Sequence, residues 1–305
     1  MASSVNFQFL ISMLIILLAY FFKRVGLIKE SDGEGVSRII FNITLPSLVI
    51  TTFSTIKVDT TLLMVPVICA VYGAIMTGIA LLAFRKEDRK VKGMMSMLVP
   101  AFNIGLFAYP LVDSLWGQEG LKYIGMFDMG NSIIVFGVCY VTASIYSTED
   151  AVIDFKGVLK RVASSIPLMS YIITLAVNLA GLHFPNIVLE VTKVISKANS
   201  PLSLLLLGIY LSFTFEFEHL AKMGKVLLLR YGIGIVTGTI LFFLLPFEPL
   251  LKYILLIGLA LPISMSVIPY SVQFDYDKKF VGTLNNMTII ISFLYIWAVA
   301  AFVIH

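Results

Sequence analysis

The chain has 305 residues, of which 59% are hydrophobic and only 13% charged, with a net charge of +4 and a mean hydropathy of +0.96. A soluble domain carries about a quarter charged residues, so the composition excludes a soluble fold and predicts an all-α integral membrane protein whose first partner is the lipid bilayer. The small positive balance follows from loop charge and is no argument for nucleic acid.

Ten apolar runs follow one another, at roughly 5–22, 36–55, 61–84, 93–116, 121–146, 164–181, 199–215, 226–246, 250–273 and 280–304. Each approaches the ~20 residues that cross a hydrocarbon core. The first is expected to be a span and not a signal peptide, because no Lys or Arg precedes it and no small-residue cleavage site follows. The loops after odd-numbered spans hold 17 of the lysines and arginines and the even-numbered loops hold 5 (Lys57, Lys122, Lys193, Lys197, Lys252). Lys222, Lys225 and Arg230 are counted with the loop before span eight. This bias places the odd loops in the cytoplasm and both termini outside, as a multi-pass protein of the cell membrane.

The longest polar stretch, 147–163, divides the chain into 1–150 and 151–305, and the two parts share features in order. Gly26-Leu27 recurs as Gly181-Leu182 and Pro46 as Pro201, both 155 residues on. Tyr72-Gly73 recurs as Tyr231-Gly232 and Pro110 as Pro269, both 159 residues on. Five spans is an odd number, so two such units in tandem cross in opposite senses and form an inverted repeat, an architecture of secondary transporters. Proline removes a backbone donor, and lipid tolerates no unpaired backbone group. Pro110 in span four and Pro269 in span nine therefore predict matched broken helices around a midplane site.

Near those prolines lie Pro100, Asn103 and Gly105 in span four and Pro262, Ser264, Ser266 and Ser271 in span nine. Freed amides and helix N-termini there suit an anion; ordinary proline kinks are the plainer alternative. Asp128 is the carboxylate that falls clearly within a span, about 10 Å deep at 1.5 Å per residue. A charge so placed costs about 2.5–3.5 kcal/mol on insertion scales and is usually functional, as a protonatable coupling group or a cation ligand. Asn131 shares its helix face at i+3; a buried acid bonded to a neighbouring helix is the competing reading. The glycines of 72–78 and 231–238 are expected to serve close helix packing. With no Lys or Arg expected deep in a span, a bound anion is to be held by dipoles, amides and hydroxyls, which favours a carboxylate over a polyphosphate.

No enzyme is expected. The three histidines are scattered, no phosphate loop is present, no cofactor or metal is implied, and Cys69 and Cys139 are mid-span with no disulfide suggested.

The segments Asn103 to Pro110, Phe127 to Ser132, Asn199-Ser200-Pro201-Leu202 with Leu207-Gly208, and Leu261-Pro262 through Pro269 resemble the auxin efflux carrier family, which includes plant PIN exporters and bacterial organic-acid permeases. The resemblance implies a fold of the sodium/proton antiporter or bile-acid symporter type, with ten spans as two inverted five-helix repeats and crossed, broken helices four and nine. It implies a scaffold of spans one, two, six and seven, a moving domain from the rest, an elevator cycle and a homodimer. Asn103 matches the position that holds the substrate carboxylate, and Leu45, Pro46 and Val49 match a wall of that pocket. The long cytoplasmic loop of many plant members is missing, which makes auxin a poorer guess. Ile166-Pro167 stands where many members have Asn-Pro. The expectation is a carrier of small organic anions, malate or another dicarboxylate leading. Its substrate would meet Asn103, Pro110, Leu45, Val49, Asn131, Ser266 and Pro269, with Asp128 coupling. A sodium-coupled symporter using Asn103, Ser266, Gln273 and Asp128 is the alternative, and a membrane-embedded metabolite sensor the competing class.

Overall fold

A computed structural model describes residues 2–148, 155–212 and 219–302. The expected division at 150/151, the chain ends Met1 and His305, and the expected ends of spans seven and ten at 215 and 304 lie outside the described residues. Among the described residues the secondary structure is entirely helical apart from one isolated bridge. The elements are α1 (Ala2–Arg24), α2 (Asp32–Phe53), α3 (Thr60–Ala83) and α4 (Arg89–Leu98). The helical run Ile104–Ser147 follows, and Gly117 at φ 54° splits it into α5 (104–116) and α6 (118–147). Then come α7 (Phe155–Ala163), α8 (Ile166–Leu179), α9 (Asn186–Ser196) and α10 (Asn199–Tyr210). The last four are α11 (Leu220–Leu244), α12 (Pro249–Gly258), α13 (Ile268–Gln273) and α14 (Lys278–Phe302).

Six of the described helical runs are long and apolar enough to cross a membrane, or seven if the bent pair α7–α8 is one span. This is fewer than the ten apolar runs because several of those runs are not single long helices. Run 93–116 is interrupted after Leu98 and its second part joins run 121–146 in the stretch Ile104–Ser147, run 250–273 is interrupted after Gly258, and run 199–215 holds the 12-residue α10. Local signals explain the ends. Asp59 caps α3 by accepting from Leu62 N at 2.7 Å, and Ser165 caps α8 with Pro167 in its first turn. Gly26 and Gly181, both at positive φ, end α1 and α8 with the same pair of bonds. Leu27 N donates to Phe22 O and Leu182 N to Val177 O, each at 3.0 Å, while each glycine N–H reaches the carbonyl three residues back. These are Schellman ends, which need the left-handed region.

The interruptions do not fall at Pro110 and Pro269, as the sequence suggested. The chain leaves helix over 99–103, around Pro100, and over 259–264, around Pro262. Pro269 is the second residue of α13, where a missing N–H costs nothing, and Pro110 lies inside α5, just after the widened turn Ile104–Ala108. The two extended segments cross and pair: Phe102 bridges Ile263 in antiparallel fashion, Asn103 N donates to Pro262 O at 2.9 Å, and Ser264 N to Ala101 O at 3.3 Å. The outward groups of the bridging pair are met by side chains. Asn131 accepts from Phe102 N at 3.1 Å and donates to Phe102 O at 3.0 Å. Thr288 accepts from Ile263 N and Asn285 donates to Ile263 O, both at 3.0 Å.

Arg230 corrects the expectation of no deep basic residue. It is 1% exposed, because α11 begins at Leu220 and carries it well inside the run. Its guanidinium donates to Leu98 O, Val99 O, Ala101 O, Leu261 O and Pro262 O at 2.5 to 3.2 Å, and it lies 4.7 Å from the Phe102 ring. Carbonyls of both breaks, at the end of α4 and in the extended segment after α12, thus converge on one cation. Close packing elsewhere uses glycine: a Cβ on Gly234 would lie 2.2 Å from Leu259 O, on Gly208 2.2 Å from Ile16 O and on Gly130 2.3 Å from Pro66 O. Gly78 has open space, so the packing role does not extend to it.

Arg230→Met is expected to strand several buried carbonyls at about 1–3 kcal/mol each, giving a protein that aggregates or unfolds well below wild type in a detergent thermal-melt assay. Arg230→Lys, with three donors and no planar fork, is expected to fall between the two. A melt unchanged in both variants would contradict this assignment.

Candidate functional site

Beneath the crossing lies a cavity of about 30 Å³. That volume takes about two waters, so a dicarboxylate enters only if the walls move apart. Both segments that restart helix after the breaks line it: Asn103, Ile104 and Gly105 from one, Ser264, Met265 and Ser266 from the other. α6 contributes Asp128, Asn131 and Ser132, α2 contributes Phe41 and Leu45, and α8 contributes Pro167.

Of the residues singled out from sequence, Asn103, Leu45, Asp128, Asn131 and Ser266 therefore come together. Val49 is buried one turn along α2 from Leu45 and is not among the lining residues. Pro110 is buried within α5 and Pro269 is exposed on α13, and neither lines the cavity. Gln273 is engaged elsewhere, accepting from Arg161 at 3.0 Å.

The electrostatics follow from helix direction. Each helix end carries about half an elementary charge, positive at the N-terminus. The negative end of α4 at Leu98–Val99 and the Leu261 carbonyl face Arg230, whereas the positive starts at Asn103–Gly105 and Ser264–Ser266 border the cavity. Asn103 is 3% exposed, and its side-chain Nδ2 is buried without a hydrogen-bond partner. A buried donor left unpaired costs about 1–3 kcal/mol, so this amide is placed to meet an acceptor in the cavity.

Asp128 is also buried, with 7% exposure. Its Oδ2 accepts from Tyr171 Oη at 3.0 Å, and Tyr171 in turn shares a hydrogen bond with Tyr109. Sequence reading missed both tyrosines, since a tyrosine in an apolar run carries no periodic signal. Phe53 meets Tyr171 edge-on, with ring centroids 5.6 Å apart, and Gly125 makes room, since a Cβ there would lie 2.6 Å from Phe53 and 3.2 Å from Tyr109 Oη.

At the level of Gly125, Phe53, Tyr109 and Tyr171 form an aromatic layer. Along α6 this level lies between Asp128 at the cavity and Lys122 at a second space. That space is a basin of about 810 Å³ lined by Thr51, Thr52, Gln118, Lys122, Lys193 and Lys197 among others. Asn178 fixes the rim by donating to Phe53 O and Ile56 O at 3.0 Å and to Ser54 O at 3.3 Å.

The model of a family described as membrane transport protein matches residues 7–298. The chain belongs to this family, the auxin efflux carriers. Two archaeal relatives agree over nearly the whole length. An uncharacterized transporter of Methanothermobacter thermautotrophicus is 26% identical over 294 residues, covering 94% of this chain and 95% of the relative. Another, of Methanocaldococcus jannaschii, is 24% identical over 304 residues with the same coverage, 94% and 95%. The protein is thus a multi-pass membrane transporter and not an enzyme.

The aromatic layer makes a specific expectation. Tyr171→Phe removes the hydroxyl that joins Asp128 to Tyr109, leaves a buried acceptor short of one donor, and should loosen the layer. In a Ser132→Cys variant, whose thiol lines the cavity while native Cys69 and Cys139 are buried, the reaction with a small water-soluble thiol reagent added to the Lys122 side is expected to be at least several-fold faster in the Tyr171→Phe background. Equal rates would show that Tyr171 does not close this path.

Proposed function

We propose that this transporter carries small organic anions, with a carboxylate in the cavity beneath the crossing and malate or another dicarboxylate as the leading substrate. The observation that carries the proposal is the buried, unpartnered Asn103 amide between two helix starts. Asn103 donates to the carboxylate, and the starts of α5 and α13 supply about half a positive charge each. Arg230 does not compete, since backbone carbonyls occupy its guanidinium.

Charge arithmetic gives Asp128 its role. With Asp128 ionised, the two helix starts are already balanced and a second carboxylate is repelled. With Asp128 protonated or paired with a cation, the site accepts a monocarboxylate, or a dicarboxylate carrying one proton, without a net buried charge. Anion and coupling cation therefore travel together, and loading also weakens the charge-assisted bond to Tyr171.

The architecture proposed for this cycle is ten spans in two inverted five-helix repeats, 1–150 and 151–305, with α4–α5 and α12–α13 as the broken pair. Three features support it: the matched Schellman ends 155 residues apart, the bond from Thr44 to Asn199, also 155 apart, at 2.9 Å, and the antiparallel pairing of the two breaks. An elevator motion of α3–α6 and α11–α14 past α1, α2 and α8–α10, in a homodimer with both termini outside, completes the reading. It accounts for a cavity walled by both groups and too small for its cargo. A sodium-coupled variant is favoured by the side-chain oxygens of Asp128, Asn131, Ser132, Ser264 and Ser266 around so small a space; sodium-independent accumulation would remove it.

The test is uptake of labelled malate and related acids into proteoliposomes. Asn103→Ala is expected to lower transport about 10- to 100-fold, as the loss of a hydrogen bond to a charged group of about 1.5–3 kcal/mol requires. Wild-type rates in that variant would refute the site. Asp128→Asn is expected to abolish ion-driven accumulation while retaining malate counterflow; accumulation intact in Asp128→Asn would refute the coupling role.

A further inference from the structure

α7 (Phe155–Ala163) is a nine-residue helix with three distinct sides. At about 100° per residue, Val158, Arg161 and Val162 fall on one side, Phe155 and Leu159 on the next, and Lys156 and Lys160 beyond them. The first side faces protein. Val162 approaches Gly137, and Arg161 stacks on Tyr140 at 4.2 Å and Tyr270 at 5.1 Å and donates to Gln273 at 3.0 Å. The second side is bare: Phe155 is 75% exposed and Leu159 70%. The third is cationic and exposed.

The helix axis decides what covers the bare side. α7 and α8 are bent by 67° at their junction, and α8 is apolar enough to continue into the bilayer. A helix turned by 67° from a span, at its end, lies closer to the membrane plane than to its normal. Its surroundings are basic: Arg89 at the start of α4 donates to Ile145 O and Thr148 O, so the lysine- and arginine-rich segment 85–92 is on the same side. An in-plane helix with an apolar stripe flanked by lysines matches the boundary between acyl chains and anionic headgroups.

We propose that α7 is an interfacial anchor for anionic phospholipid, with Phe155 and Leu159 below the phosphates and Lys156 and Lys160 at their level. The proposal goes beyond the transport reading and does not depend on the substrate. Arg161 joins the anchor to α13, which carries Tyr270 and Gln273.

The experiment uses the full chain in phosphatidylcholine vesicles with or without phosphatidylglycerol. A nitroxide on Leu159→Cys is expected to be more accessible to oxygen than to a water-soluble nickel complex, and one on Lys160→Cys to sit at headgroup depth. Phosphatidylglycerol is expected to raise the unfolding temperature by about 4 °C, a rise lost in Lys156→Gln/Lys160→Gln. These positions are exposed, so the variants are expected to fold. A water-exposed nitroxide at 159 would overturn the proposal and leave the stripe to a soluble partner. A shallow insertion with an equal temperature rise in wild type and the double variant would overturn the anionic-lipid assignment.

Discussion

The contact between Arg230 and the carbonyls exposed where two helices break is the constraint on which the rest of the molecule depends. A chain that leaves helix inside a bilayer exposes carbonyls that lipid cannot satisfy. Here one guanidinium meets carbonyls of both breaks: Leu98 and Val99 at the end of α4 with Ala101 beyond it, and Leu261 and Pro262 in the extended segment after α12. The Asn131, Thr288 and Asn285 side chains finish the outward groups of Phe102 and Ile263. With the carbonyls of the breaks taken up by Arg230, the two helix starts remain, and they border the same cavity. The charge of the site is thus a by-product of how the crossing is stabilised.

The cavity is small, about 30 Å³. Its walls come from α2, α6, α8 and the two restarting segments, and Tyr171 on α8 holds Asp128 on α6. In the proposed elevator cycle that bond crosses from one moving group to the other. In the proposed cycle the Asp128–Tyr171 bond is the point where loading of the site and release of the layer meet.

Much of this was legible in the sequence, for physical reasons. Membrane spans follow from apolar length, and Asp128 and Asn103 stand out because polar groups in lipid are costly. The recurrence of Gly-Leu was a real signal, since both copies end a helix in the left-handed region. Three things were not legible. Pro110 and Pro269 stand out as breakers, whereas both lie in helix beyond the breaks, which belong to Pro100 and Pro262. Arg230 was counted with the loop because Lys222 and Lys225 precede it, although α11 starts ten residues before it, about 15 Å of helix. Tyr171 depends on a partner 43 positions away, a relation that no local pattern carries.

The account is tested most directly by a structure of the protein in lipid nanodiscs with malate bound. A carboxylate within hydrogen-bonding distance of Asn103 Nδ2, between the starts of α5 and α13 and with Arg230 still on its carbonyls, is the predicted result. Malate bound elsewhere, or a substrate carboxylate drawn onto Arg230 with the crossing opened, would contradict it.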